Sequence, residues 1–265
     1  MKRICRYTFP LGSRAIAITI LVIACGGGSS NPTTAFAASI PEDALPEWVV
    51  TAERTCSMCK YELQRNLNEL ATLNSNKKRP TSIRADFLMY GDSITYWNKP
   101  GNLTHARGTR AVWTKNFGDL VRALPLGIPG DRIANLAWRL TLGKERPTLD
   151  PKVIVIFIGI NDVVHKTPDI PQRMDYLLSL FSLQFPTSKL IVQALLPSLS
   201  GAVQVNTEFE RLAQKRGLLF SSCGQDIGRH DARYKADLIH PSAKGQDRLQ
   251  ACLRSQYIQP LLQSV

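Results

Sequence analysis

Ser93 is the residue best placed for covalent chemistry, carried in Gly91-Asp92-Ser93-Ile94-Thr95 directly after the apolar run Phe87-Leu88-Met89-Tyr90. A serine on a tight turn between a buried strand and a helix exposes its hydroxyl. The first N–H groups of that helix lack intrahelical acceptors and can hold an anion. The same run also suits an ordinary turn with a capping aspartate. A serine hydroxyl is a poor nucleophile near neutral pH and needs a base. His240, in Asp237-Leu238-Ile239-His240-Pro241, offers the imidazole. Asp237, three residues earlier, can accept a hydrogen bond from the other ring nitrogen and stabilise the imidazolium. Asn161, in Gly159-Ile160-Asn161-Asp162, supplies a side-chain donor for charge that develops on a substrate oxygen. Asp92 and Asp131 read as turn braces and helix caps. His165 and His105 suit the surface or a cleft wall, and Tyr96, Trp97 and Trp113 suit either stacking on a ligand or packing.

These groups are far apart in sequence, so the fold must gather them. Residues 47–74 read as one helix, with Leu63, Leu67 and Leu70 recurring at helical spacing. The run Asn74-Ser75-Asn76-Lys77-Lys78-Arg79-Pro80 ends it. Strands are predicted over residues 85–90, 120–126, 152–158, 189–196 and 218–221, and helices over 132–142, 172–184, 203–216 and 242–259. The run Val153-Ile154-Val155-Ile156-Phe157 is β-branched and apolar on both faces, as a central parallel strand requires. Alternation of this kind predicts an α/β fold: a flavodoxin-like three-layer sandwich with a parallel sheet of about five strands and helices on both faces. Ligands bind at the carboxyl ends of such strands. Ser93, Gly130-Asp131, Gly159-Ile160-Asn161-Asp162 and Asp237-Leu238-Ile239-His240 all fall there.

Those four blocks, in that order, resemble the SGNH or GDSL hydrolase superfamily over residues 84–257. Gly127-Ile128-Pro129-Gly130-Asp131-Arg132 with Leu136-Ala137-Trp138-Arg139-Leu140 is most similar to the platelet-activating-factor acetylhydrolase branch. The resemblance implies Ser93 as nucleophile, and Asp237 and His240 as its catalytic partners. It implies an oxyanion hole made by the N–H groups of Ser93 and Gly130 and the amide of Asn161. Pro129 departs from the small residue often found there, which removes one N–H and spares that of Gly130. No metal or cofactor is implied.

The remaining signals concern location. Lys2, Arg3, Arg6 and Arg14 precede the apolar stretch 15–24, which is too short to span a bilayer as a helix and reads as an export signal over residues 1–24. Val22-Ile23-Ala24-Cys25 resembles a bacterial lipobox, making Cys25 the lipidated first residue. The competing site, Ala35-Phe36-Ala37, lies far beyond the apolar core and would release a soluble chain starting at Ala38. Residues 25–46 then form a tether, 47–80 a helical extension and 81–265 the hydrolase domain. Losing the four basic residues lowers the formal net charge only from +12 to +8. That charge suits anionic glycans, lipid headgroups or nucleic acid, but no nucleic-acid recognition motif supports the last. In an oxidising compartment Cys56, Cys59, Cys223 and Cys252 form two disulfides in any of three pairings. The expectation is an exported serine esterase working through an acyl-enzyme on small acyl groups of a carbohydrate or envelope glycan. Lysophospholipid esters or thioesters are the alternative substrates, and a non-catalytic glycan-binding lipoprotein is the alternative of another class.

Overall fold

The computed structural model describes residues 40–74, 85–99, 109–148, 150–228 and 234–264, and the backbone of two short N-terminal strands. Those strands, β1 (Cys5–Phe9) and β2 (Ile16–Ile20), pair antiparallel. Cys25, Ala38 and His105 lie outside the described residues.

Five further strands make one parallel sheet: β3 (Phe87–Gly91), β4 (Leu124–Gly127), β5 (Val153–Phe157), β6 (Lys189–Gln193) and β7 (Leu219–Ser221), in the spatial order β4-β3-β5-β6-β7. This is the flavodoxin-like order, in which the chain runs outward from β3 first to one side and then to the other. β3 and β5 are buried along their whole length because both faces are covered by helices.

The helices are α1 (Glu47–Val50), α2 (Ser57–Asn74), α3 (Ser93–Tyr96), α4 (Thr109–Phe117), α5 (Ile133–Leu140), α6 (Ile160–Val164), α7 (Ile170–Gln184), α8 (Ser200–Lys215), α9 (Ala243–Leu253) and α10 (Gln259–Gln263), with a π-helical turn between the last two. Helix α4 packs on α9, whereas α5 packs on α7 and α7 on α8. Right-handed crossovers sort them in this way, since the step from β3 to β4 runs opposite to the later ones. Trp113 of α4 stacks on Phe87, and so belongs to the core.

Three details differ from the sequence reading. The expected helix over residues 47–74 is broken: α1 stops at Thr51, residues 52–56 are irregular, and Asn135 Nδ2 holds the Ala52 carbonyl at 2.7 Å. Helix α2 buries only Leu70 of the leucine stripe. Its inward residues are Cys59, Glu62, Asn66 and Leu70, while Leu63 and Leu67 are only half-buried. A buried lysine opposite, Lys99, decides that orientation: its ammonium donates to Glu62 Oε2 at 3.1 Å and to Asn66 Oδ1. Finally, β4 begins at Leu124, because Arg122 takes a left-handed φ of 59° that ends any extended run before it. The cysteines pair as Cys56–Cys59 and Cys223–Cys252.

Candidate active site

The order in which strands are added reverses between β3 and β5, which opens a crevice at their carboxyl ends. Ser93 leaves β3 through Gly91-Asp92 and opens α3. Asp92 caps that helix, its Oδ1 accepting from the Ile94 N–H at 2.9 Å. A side chain on Gly127 of the adjacent strand would lie 2.2 Å from the Tyr96 nitrogen and 2.4 Å from the Asp92 carbonyl. The nucleophile turn therefore depends on glycine there, which lets the backbone of β4 come close enough to fix its direction.

His240 lies 147 residues from Ser93 and reaches it: the Ser93 hydroxyl and His240 Nε2 are 2.8 Å apart. Asp237 Oδ2 is 2.7 Å from His240 Nδ1. An ionised carboxylate only accepts, so Nδ1 carries the ring proton and Nε2 is left to accept from the serine. Asp237 is fixed by its own turn, its Oδ1 accepting from the Ile239 and His240 N–H groups, each at 2.9 Å. Leu238, in the left-handed region at φ 58°, closes that turn. Burial raises the Asp237 carboxyl, but the hydrogen bonds from His240 and Ile239 outweigh it and hold the group below its ordinary range. The carboxylate thus stays charged opposite the imidazole. The indole of Trp97 lies against the imidazole with ring centroids 3.9 Å apart, and Lys235 Nζ sits 3.5 Å from the indole centroid. Sequence spacing placed Trp97 near the cleft without showing that it backs the histidine.

Gly130 and Asn161 follow the carboxyl ends of β4 and β5, the strands on either side of β3. Asn161 opens the short helix α6 after β5, and its Nδ2 donates to the Asp131 carbonyl at 2.9 Å. That bond ties the two loops together and leaves a second amide hydrogen available. Among the described residues neither the Ser93 nor the Gly130 N–H has a protein acceptor. The loop carrying Gly130 is pinned from beneath, where Asp131 Oδ2 accepts from the Arg139 guanidinium at 2.9 Å. Arg139 also bonds Glu145 at 2.7 and 2.5 Å and the carbonyls of Gly91 and Leu126. One buried guanidinium therefore joins the nucleophile turn, strand β4 and the Gly130 loop. Burial pushes the Asp131 carboxyl up to about 6, against the pull of Arg139 and Arg54. Asp92 rises to about 7, chiefly from burial, with Asp131 and Asp162 adding repulsion.

Asp162 braces rather than faces the cleft, accepting from the Ile133 N–H at 2.9 Å to start α5. Arg54 is a residue the four blocks did not point to. It comes from the irregular segment between α1 and α2, and its guanidinium stands 3.6 Å from Asp131 Oδ1. No spacing rule connects it to those blocks. Among the described residues no group of three or more His, Cys, Asp or Glu side chains is arranged to hold a metal ion.

A parallel sheet in this order, with a serine and a histidine in hydrogen-bond contact at its switch point, is the arrangement of a serine hydrolase built on an α/β fold. It belongs to the GDSL-like lipase/acylhydrolase family, whose model matches residues 89–248. The chain is 34% identical over 86 residues to platelet-activating factor acetylhydrolase IB subunit alpha2 of Rattus norvegicus and of Homo sapiens. That stretch is 32% of this chain and spans only 37% of the length of those relatives. Similar solved folds include a Streptococcus pneumonia protein assigned as a platelet activating factor (TM-score 0.56, 17% identity, 76% of this chain and 94% of that one). Another is the Clostridium thermocellum family 3 carbohydrate esterase (TM-score 0.53, 16% identity, 69% of this chain and 98% of that one). At such identities these two show a shared fold.

Proposed function

We propose that this protein is an exported serine esterase that cleaves short acyl esters, acetyl above all, from a carbohydrate or cell-envelope glycan. The observation that carries the esterase reading is the unbroken hydrogen-bonded line from Ser93 through His240 to Asp237, at 2.8 and 2.7 Å. In the reaction, Ser93 Oγ attacks the ester carbonyl carbon while its proton passes to His240 Nε2. Negative charge moves onto the carbonyl oxygen, opposite the Ser93 and Gly130 N–H groups and the Asn161 amide. Collapse of the tetrahedral species breaks the bond to the alcohol, which leaves with the proton from His240. Water, deprotonated by the same nitrogen, then attacks the acyl-serine and releases the acid. Asp237 balances the imidazolium in both halves.

Preference for acetyl is supported by the acetylhydrolase relatives, and preference for a glycan by the basic net charge and the N-terminal sequence. Export and lipidation at Cys25 rest on that sequence alone. Hydrolysis of p-nitrophenyl acetate by wild type and by Ser93→Ala tests the chemistry, with loss of at least a thousandfold expected; equal rates would reject the enzyme reading in favour of a binding protein. Rates should fall from acetyl to butyryl to octanoyl esters. The opposite order would favour lipid substrates.

A further inference from the structure

Arg54 precedes the segment matched by the family and yet stands at the candidate site. Its two terminal nitrogens are each 3.2 Å from the point where a side chain on Gly130 would begin. Gly130 is glycine because its φ of 77° disfavours a side chain, and the guanidinium packs closely against the bare backbone this leaves. The arginine is held there from both directions. Upstream, the Ala52 carbonyl is bonded to Asn135 of α5; downstream, Cys56–Cys59 staples the first turn of α2. That helix is in turn docked by Glu62 and Asn66 against Lys99.

The guanidinium itself is only loosely paired. Among the described residues it donates no hydrogen bond, its nearest acid is Asp131 Oδ1 at 3.6 Å, and its side chain is 34% exposed. The other oxygen of Asp131 is already committed to Arg139. A planar fork of five donors, open to solvent beside the group expected to receive the substrate carbonyl, matches a carboxylate in shape and charge. We infer that Arg54 is a specificity-determining residue that selects esters bearing a carboxylate near the scissile bond, on the acyl or the alcohol part. This rests on the esterase reading above.

The test compares kcat/KM within two pairs that differ only in charge. The pair 3-acetoxybenzoate and its methyl ester puts the anion on the alcohol. The pair 4-nitrophenyl hydrogen succinate and 4-nitrophenyl methyl succinate puts it on the acyl group, with uncatalysed hydrolysis subtracted. Wild type should favour the charged member of at least one pair, and the pair identifies the side. Arg54→Gln should lower that charged-to-neutral ratio at least tenfold, mainly through KM, and Arg54→Glu should invert it. Independently of folding, benzoate should inhibit wild-type turnover of p-nitrophenyl acetate competitively, and less well in Arg54→Gln. A wild type with no charge preference in either pair, or an Arg54→Gln variant with an unchanged ratio, would overturn the inference. Ser93→Ala separates the two claims: if it is inactive while wild type is blind to charge, only the arginine's role is refuted, and if it stays active both are.

Discussion

Single residues of the candidate site are placed for chemistry by the buried neighbours that fix them. Asn161 illustrates this: one amide hydrogen is spent on the Asp131 carbonyl, so the other points in a set direction. Asn161→Ala should lower kcat by a hundredfold or more, about 3 kcal/mol, with a smaller change in KM, as steady-state kinetics on p-nitrophenyl acetate would show. Asp92 makes a different prediction. Its folded value of about 7 lies above the unfolded aspartate value of about 3.9, so the native state holds this proton more tightly. Its charge therefore costs stability above pH 7, and that cost disappears as pH falls toward 4. Asp131 acts in the same sense at somewhat lower pH. Asp92→Asn keeps an oxygen to cap Ile94 and removes the titration. Urea denaturation should find it more stable than wild type by about 1–3 kcal/mol at pH 8, with the gap narrowing below pH 7 and closing as pH falls toward 4.

At the scale of elements, polar burial sets how the pieces dock. Burial lowers the pKa of Lys99, and Glu62, Glu145 and Glu69 pull it back up, so its charge depends on helix α2 being in place. Lys99→Ala should cost about 3–5 kcal/mol in chemical denaturation, because buried Glu62 then loses its ammonium donor and keeps only the longer contact to Arg65, whereas Lys99→Met with Glu62→Leu should recover most of the loss. This docking was not legible in the sequence. Periodicity marked one helix over residues 47–74 with Leu63, Leu67 and Leu70 as its apolar stripe, of which only Leu70 is buried, and a buried Glu–Lys pair leaves no trace in a hydrophobic pattern. The strands were legible, since β5 and β3 are buried runs with one reading. So was the order of the four blocks. Helix α4 was missed because its inward residues, Trp113, Asn116 and Phe117, lie in a short segment of mixed polarity. Arg54 was beyond reach because its role exists only once α1, α2 and the Gly130 loop meet in space.

Across the whole molecule, the Cys223–Cys252 bond closes a loop containing both Asp237 and His240. Its two ends are the chain after β7 and helix α9, so it ties the acid–base turn to the sheet at one side and to a packed helix at the other. Cys252→Ser should lower thermal stability by about 2–4 kcal/mol. Turnover should fall further than the folded fraction measured by circular dichroism, since the loss of constraint falls on the catalytic turn. The same bond fits a chain that matures outside a reducing compartment, and mass spectrometry of the mature N-terminus checks the anchor: a lipidated Cys25 is expected, whereas a plain Ala38 start would point to release.

Helix α2, finally, bears on where this protein can be cut. A fragment trimmed to the family's own limits would keep Lys99 while discarding Glu62 and Asn66, the groups that hold its ammonium, and would leave Glu145 and Asp131 with Arg139 alone, without Asn66 and Arg54. Engineers seeking a minimal catalyst from this scaffold should retain everything from Leu45 onward. The smallest autonomous unit is set by where its buried ions find their counterparts, and that frontier lies some forty residues upstream of the stretch the family model matches.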